Sequence, residues 1–131
     1  MSYSHANVYR EREVLTASPE KLVVIVFDHV LANLRRARVA IVAGNIEQRA
    51  QAMRRAREGV MELLASTDAD RGGEIAVQLR ALYAYALREF LAVGRTLDIK
   101  QLDAITGILA NLRESFATIA GDPTLARSPA A

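Results

Sequence analysis

The chain has no cysteine and no tryptophan, and it holds only three prolines. Without cysteine there is no disulfide framework, no thiolate zinc site and no cysteine nucleophile, a usage that fits a reducing compartment. Charge of one sign is also lacking. Lys and Arg number 17 against 15 Asp and Glu, a formal net charge of +2, so composition does not supply the concentrated basic surface of a dedicated nucleic-acid binder. No nucleic-acid partner is expected. The longest apolar run, Leu22 to Phe27, is far shorter than a bilayer span, and no membrane insertion is expected either. The opening Met1-Ser2-Tyr3-Ser4-His5 has neither the charged nor the apolar region of a signal peptide. The expected location is the cytoplasm.

Catalytic signatures are missing as well. Neither Gly-x-Ser-x-Gly nor a Walker-A pattern occurs, and the only adjacent glycines, Gly72-Gly73, read as a turn entering a helix. A helical bundle with a di-iron site needs Glu-x-x-His pairs, but Val26 stands three residues before His29. His5 and His29 have no spaced partner ligands, so no metal and no cofactor is expected. Ser18 is explained by a helix cap, not by nucleophilic chemistry. Nothing here predicts an enzyme.

What is present is helical periodicity. At 131 residues, 51% of them hydrophobic, the chain reads as one domain with a real core. No stretch alternates in the manner of a strand, and four segments carry apolar residues at helical spacing. Ser18 with Pro19 opens the first, which runs to about Ala43 and stops at Gly44. Asn45 with Gln48 three residues on opens the second, which reaches about Ser66. A polar turn, Thr67 to Gly73, precedes a third helix from Glu74 to about Arg95. Asp98 with Gln101 opens a fourth that ends near Ala120 and is closed by Gly121, Asp122 and Pro123. The connections are short, which favours antiparallel neighbours. The predicted fold is all-α: an antiparallel up-down four-helix bundle over 18–121, with an N-terminal arm at 1–17 and a flexible tail at 122–131.

Placed at 100° per residue, the fourth helix carries Leu102, Ile105, Leu109 and their neighbours on an arc of roughly 120°, about what a bundle needs. The second, through Met53, Val60 and Leu63, is similar. The first and third spread their apolar residues over roughly 200° and 180°. One core has no room for all of that area, so an arm, a second copy or a partner must cover part of it unless rotation of the long helices hides it. Tyr83 lies on the wide arc of the third helix and Tyr85 on its more polar side. The arginines, including Arg35, Arg36 and Arg38 and then Arg49, Arg54, Arg55 and Arg57, scatter around their helices and read as solvated faces. Arg57 stands at the edge of the apolar side. Gly59, at about 1 kcal/mol against Ala in a helix interior, has no purpose that sequence alone explains.

Two blocks of residues carry a resemblance. Thr16-Ala17-Ser18-Pro19-Glu20-Lys21-Leu22 followed by Phe27-Asp28, and Gly72-Gly73-Glu74-Ile75-Ala76 followed by Leu79, Leu82-Tyr83 and Tyr85, resemble the flagellar secretion chaperone family FliS. Tyr9, Glu62-Leu63 and Leu112-Arg113 fall where that family has such residues, so the similarity runs from about Tyr9 to Ala120. His29, Ala86 and Phe116 depart from the residues common there. The resemblance implies a bundle that binds the C-terminal segment of flagellin and presents it to the flagellar type III export apparatus. Its groove would use Val23, Val24, Phe27 and Leu31 of the first helix with Tyr83, Leu87 and Leu91 of the third. The arm, through Tyr9, Val14 and Leu15, would cover that groove when it is empty. A helical-bundle homo-oligomer, such as a homodimer that covers the surplus stripes with a second copy, is the alternative.

Overall fold

The computed structural model describes residues 17–121, and all four expected helices are present. They are α1 (Pro19–Ala43), α2 (Ile46–Ser66), α3 (Ala69–Thr96) and α4 (Ile99–Gly121). Ser18 caps α1, its hydroxyl accepting from the Lys21 N–H at 3.2 Å, with Pro19 in the first turn where no amide is needed. Gly44 closes α1 at φ 72°. Its N–H donates to Ile41 O and that of Asn45 to Ala40 O, the paired bonds of a left-handed helix terminus. Asn45 then turns its own side chain to cap α2, accepting from the Gln48 N–H at 3.0 Å. Asp98 does the same for α4, accepting from Lys100 and Gln101.

The third helix begins earlier than its sequence pattern predicts. Asp68 accepts from the amides of Asp70 and Arg71 and so starts a short turn of helix at Ala69. Gly73 interrupts it at φ 60°, ψ −137°, a conformation open to glycine alone, and the long regular part follows. The polar stretch expected as a turn is thus a capped helical turn joined through a kink. Leu97 ends α3 at φ 55°, where a side chain costs about 1–2 kcal/mol, and its N–H bonds to Val93 O at 2.8 Å.

The helices form an antiparallel ring. α1 packs on α2 and α4, α3 packs on the same two, and α1 and α3 lie across the core from each other. Phe27 is at the centre, its ring 5.6 Å from that of Phe116 on α4 and 6.3 Å from that of Tyr83 on α3. Around them Leu34, Val60, Leu63, Phe90, Leu102, Ile105 and Leu109 are buried. Two fork-shaped ion pairs tie α1 to α4: Arg38 with Asp103 (2.9 and 3.1 Å) and Arg113 with Asp28 (2.9 and 3.3 Å). The Arg38 hydrogen bond holds the Asp103 carboxyl below the usual range. Arg80 ties α3 to α2 by donating to Leu64 O and Thr67 O at the C-terminal end of α2, where the helix dipole favours a cation. Among the described residues no helix is long and apolar enough to cross a membrane.

The backbones approach most closely between α1 and α2 and least closely between α3 and α4. Small residues explain the first. Ala37 and Ala40 of α1 and Ala52, Ala56 and Gly59 of α2 are all buried. A Cβ on Gly59 would stand 2.5 Å from Val30 Cγ2, inside the contact distance of two carbons. Gly59 therefore exists to admit Val30. The Gly59→Ala variant should be destabilised by about 1–3 kcal/mol through overpacking, against a propensity gain of about 1 kcal/mol. In denaturant unfolding, adding Val30→Ala should recover part of that loss, so that the double variant is more stable than the sum of the singles requires. Strict additivity would show that the two residues do not press on each other.

Candidate functional site

The structure separates the residues that one wide arc had grouped. Phe27 and Tyr83 are 0% and 1% exposed and belong to the core, with Val24 and Leu31 buried beside them. Val23 and Leu87 are half-buried and pack against the core edge. Leu91 is 63% exposed. Because α1 and α3 sit diagonally, their outer apolar residues do not meet in one groove. The width of an arc tells how much apolar surface a helix has, not which part of it a neighbour takes. Tyr9, Val14 and Leu15 lie outside the described residues.

An open groove runs between the first half of α2 and the last turns of α3, with a volume of about 730 Å³. Met53 and Phe90 form its floor, Leu91 one wall, and Gly94 leaves space where a side chain would stand, since a Cβ there would meet nothing within 4 Å. Arg54 and Arg57 of α2 and Arg95 of α3 line the rims, and Glu47 is the one carboxylate in the lining. Arg54 approaches Glu58 on its own helix at 3.9 Å. Arg57 and Arg95 have no hydrogen-bond or ion-pair partner among the described residues. The apolar-edge position of Arg57 was visible in sequence. That α3 would supply the opposite rim was not, because it depends on which helices adjoin.

Further along α3, Tyr85 donates to Glu89 at 3.2 Å, and Glu89 also accepts from Gln101 of α4. This polar belt occupies the side of α3 turned away from the α2 groove. It sets the direction in which the apolar side chains of α3 can face. More apolar surface is exposed at the far end of the hairpin, at Met61, Ile75 and Val77. No three His, Asp or Glu side chains gather into a metal site among the described residues. The arrangement offers an apolar floor between cationic rims, which suits the binding of an apolar, acidic surface.

Comparison with known proteins points the same way. The sequence pattern of the family described as "Flagellar protein FliS" matches residues 1–123. The "Flagellar secretion chaperone FliS" of Salmonella typhimurium is 32% identical over 117 residues, 88% of this chain and 87% of that one. Proteins of the same name from Campylobacter jejuni (26% over 121 residues, 92% and 94% of the two chains) and Escherichia coli K12 (25% over 127 residues, 96% and 93%) are also similar.

The core position of Tyr83 has a titration signature. Burial pushes its phenol up to about 12 from the ordinary 10. The folded state thus prefers the protonated phenol, a contribution present in full below pH 10 and lost as pH rises through about 12. In an ultraviolet titration, one tyrosine should ionise only near pH 12. That late step should vanish in Tyr83→Phe, and the alkaline loss of stability should become shallower. Ionisation of all four tyrosines near pH 10 would contradict the core placement.

Proposed function

The chain belongs to the FliS family of flagellar secretion chaperones, and from that premise we propose that it binds the C-terminal segment of flagellin in the cytoplasm. Bound there, the segment is kept from premature polymerisation and is handed to the flagellar type III export apparatus. The observation that carries the reading is apolar surface left open on a fully folded bundle: the α2–α3 groove with Leu91 on its wall. Leu87, half-buried at the core edge one helical turn before Leu91, extends the contact, while Val23 on α1 lies apart from it. Phe27, Tyr83 and Leu31 belong to the core cluster that includes Phe90 of the groove, and Val24 is buried on α1. The arm, with Tyr9, Val14 and Leu15, is the cover that the client displaces.

The energetics suit holding and release. Ordering an unstructured segment costs roughly 1–2 kcal/mol per residue in backbone entropy. Coupled folding typically buries on the order of 1,000–3,000 Å², returning about 25 cal/mol per Å² of apolar area. For a few tens of residues the two are of the same order, and the affinity is their modest difference.

Titrating the full chain with the flagellin C-terminal segment from the same organism should give a soluble complex in which the segment gains helix by circular dichroism. Absence of binding at about 10 μM would overturn the reading. A dimer by light scattering together with no complex would favour self-association instead. Leu91→Glu should weaken the complex about tenfold or more while leaving Tm within a few degrees, since the side chain is already in water. Phe27→Ala should do the reverse, with a stability loss of about 3–5 kcal/mol. Equal effects on both properties from both variants would contradict the division of surface from core.

A further inference from the structure

The near-neutral formal charge conceals a bipolar molecule. The antiparallel ring brings the second halves of α1 and α3 and the first halves of α2 and α4 to one end. That end, residues 32–57 and 84–110, holds ten Lys and Arg against four Asp and Glu, whereas the other described residues hold four against eight. Two open grooves lie at the basic end, one on each side of α2. The smaller, about 490 Å³ between α1 and α2, is lined by Arg35, Arg36, Val39 and Ala40 and includes no carboxylate. Meanwhile the carboxylates of this end are engaged elsewhere. Asp103 is held by Arg38, Glu89 by Tyr85 and Gln101, and Asp98 caps α4. Apart from Glu47 in the lining and Glu58 beside Arg54, the cationic rims of the grooves are left without internal counter-charge.

Chain chemistry decides what such a groove accepts. A nucleic acid would find arginines, but the only aromatic in the lining, Phe90, is 4% exposed and offers no face for a base. A bilayer surface would meet a concave site whose floor it would not reach. A helix about 10–12 Å across, apolar on one stripe and acidic on both flanks, fills the concavity and satisfies the rims together. We infer that the α2–α3 groove takes an acidic amphipathic helix, with apolar side chains on Met53, Phe90 and Leu91 and carboxylates at Arg57 and Arg95. The inference rests on the reading of this protein as the holder of a polypeptide client, and it specifies the chemistry of the client stretch that occupies this groove.

Three ligands and three proteins test it by fluorescence anisotropy. The ligands are two designed peptides of about 18 residues with one leucine stripe, flanked by Glu in one and Lys in the other, and the flagellin C-terminal segment. The proteins are the full-length chain, Arg57→Glu/Arg95→Glu and the milder Arg57→Gln/Arg95→Gln. Both arginines are exposed and unpaired, so all three should unfold at similar temperatures. The Glu peptide should bind the unaltered chain about tenfold more tightly than the Lys peptide, and more weakly as salt rises. The Glu variant should reverse that preference, and the Gln variant should remove it. Equal binding of both peptides, or no effect of either substitution, would overturn the inference. So would arginine-dependent binding of single-stranded DNA or phosphatidylglycerol vesicles with no binding of the Glu peptide. Failure here is distinct from failure of the chaperone reading. A flagellin segment that binds all three proteins equally overturns the acidic-helix inference alone. A Glu peptide that obeys the arginines beside a flagellin segment that never binds overturns the flagellin assignment alone.

Discussion

Val30 lying against the bare backbone of Gly59 sets how near α1 comes to α2, and much of the bundle follows from that distance. Drawn in on one side by alanines and a glycine, and clamped on the other by the Arg38–Asp103 and Arg113–Asp28 forks, α1 becomes the helix around which the core closes. Phe27 then reaches across to Tyr83 and Phe116. The opposite corner is built differently. α3 meets its neighbours through large side chains, Tyr83 and Phe90, at greater backbone separation. A helix held that way keeps part of its apolar arc outside, and the space beside α2 remains open. The close packing of α1 and the looser packing of α3 are two aspects of one arrangement, and the larger of the two grooves described lies on the looser side.

Function of the kind proposed needs that asymmetry. A bundle packed equally at all four interfaces would have one narrow stripe per helix and nothing to offer an unfolded segment. A bundle loose everywhere would change shape on binding and lose the stability that holds the groove in place. Here the floor of the groove is core: Phe90 packs with Val93 and Tyr83 on the inside, while Leu91, one residue further on, stands in water. Binding can therefore add to the molecule without rebuilding it.

Local chemistry was legible in the sequence, and neighbourhood was not. Ser18, Gly44, Asn45 and Asp98 each act within a few residues of themselves, so their capping roles follow from residue type and spacing. Asp68 and Gly73 are also local, yet a capped turn followed by a kink reads as a plain turn when no apolar period runs through it. Phe27 and Leu91 share the signal of an apolar residue on a wide arc; only the ring order of the helices sends one inside and the other out. The arginines mislead for a related reason. A helical projection discards position along the axis, and their concentration lies along the axis. Gly59 has no account until Val30 is placed across from it.

Hydrogen–deuterium exchange of the full chain, with and without the flagellin C-terminal segment, tests the central claim most directly. The account expects slower exchange on binding in the second half of α3 and the first half of α2, with the α1 core around Phe27 unchanged. Exchange that stays the same along α3, or that slows uniformly through all four helices, would contradict a preformed groove on a rigid core.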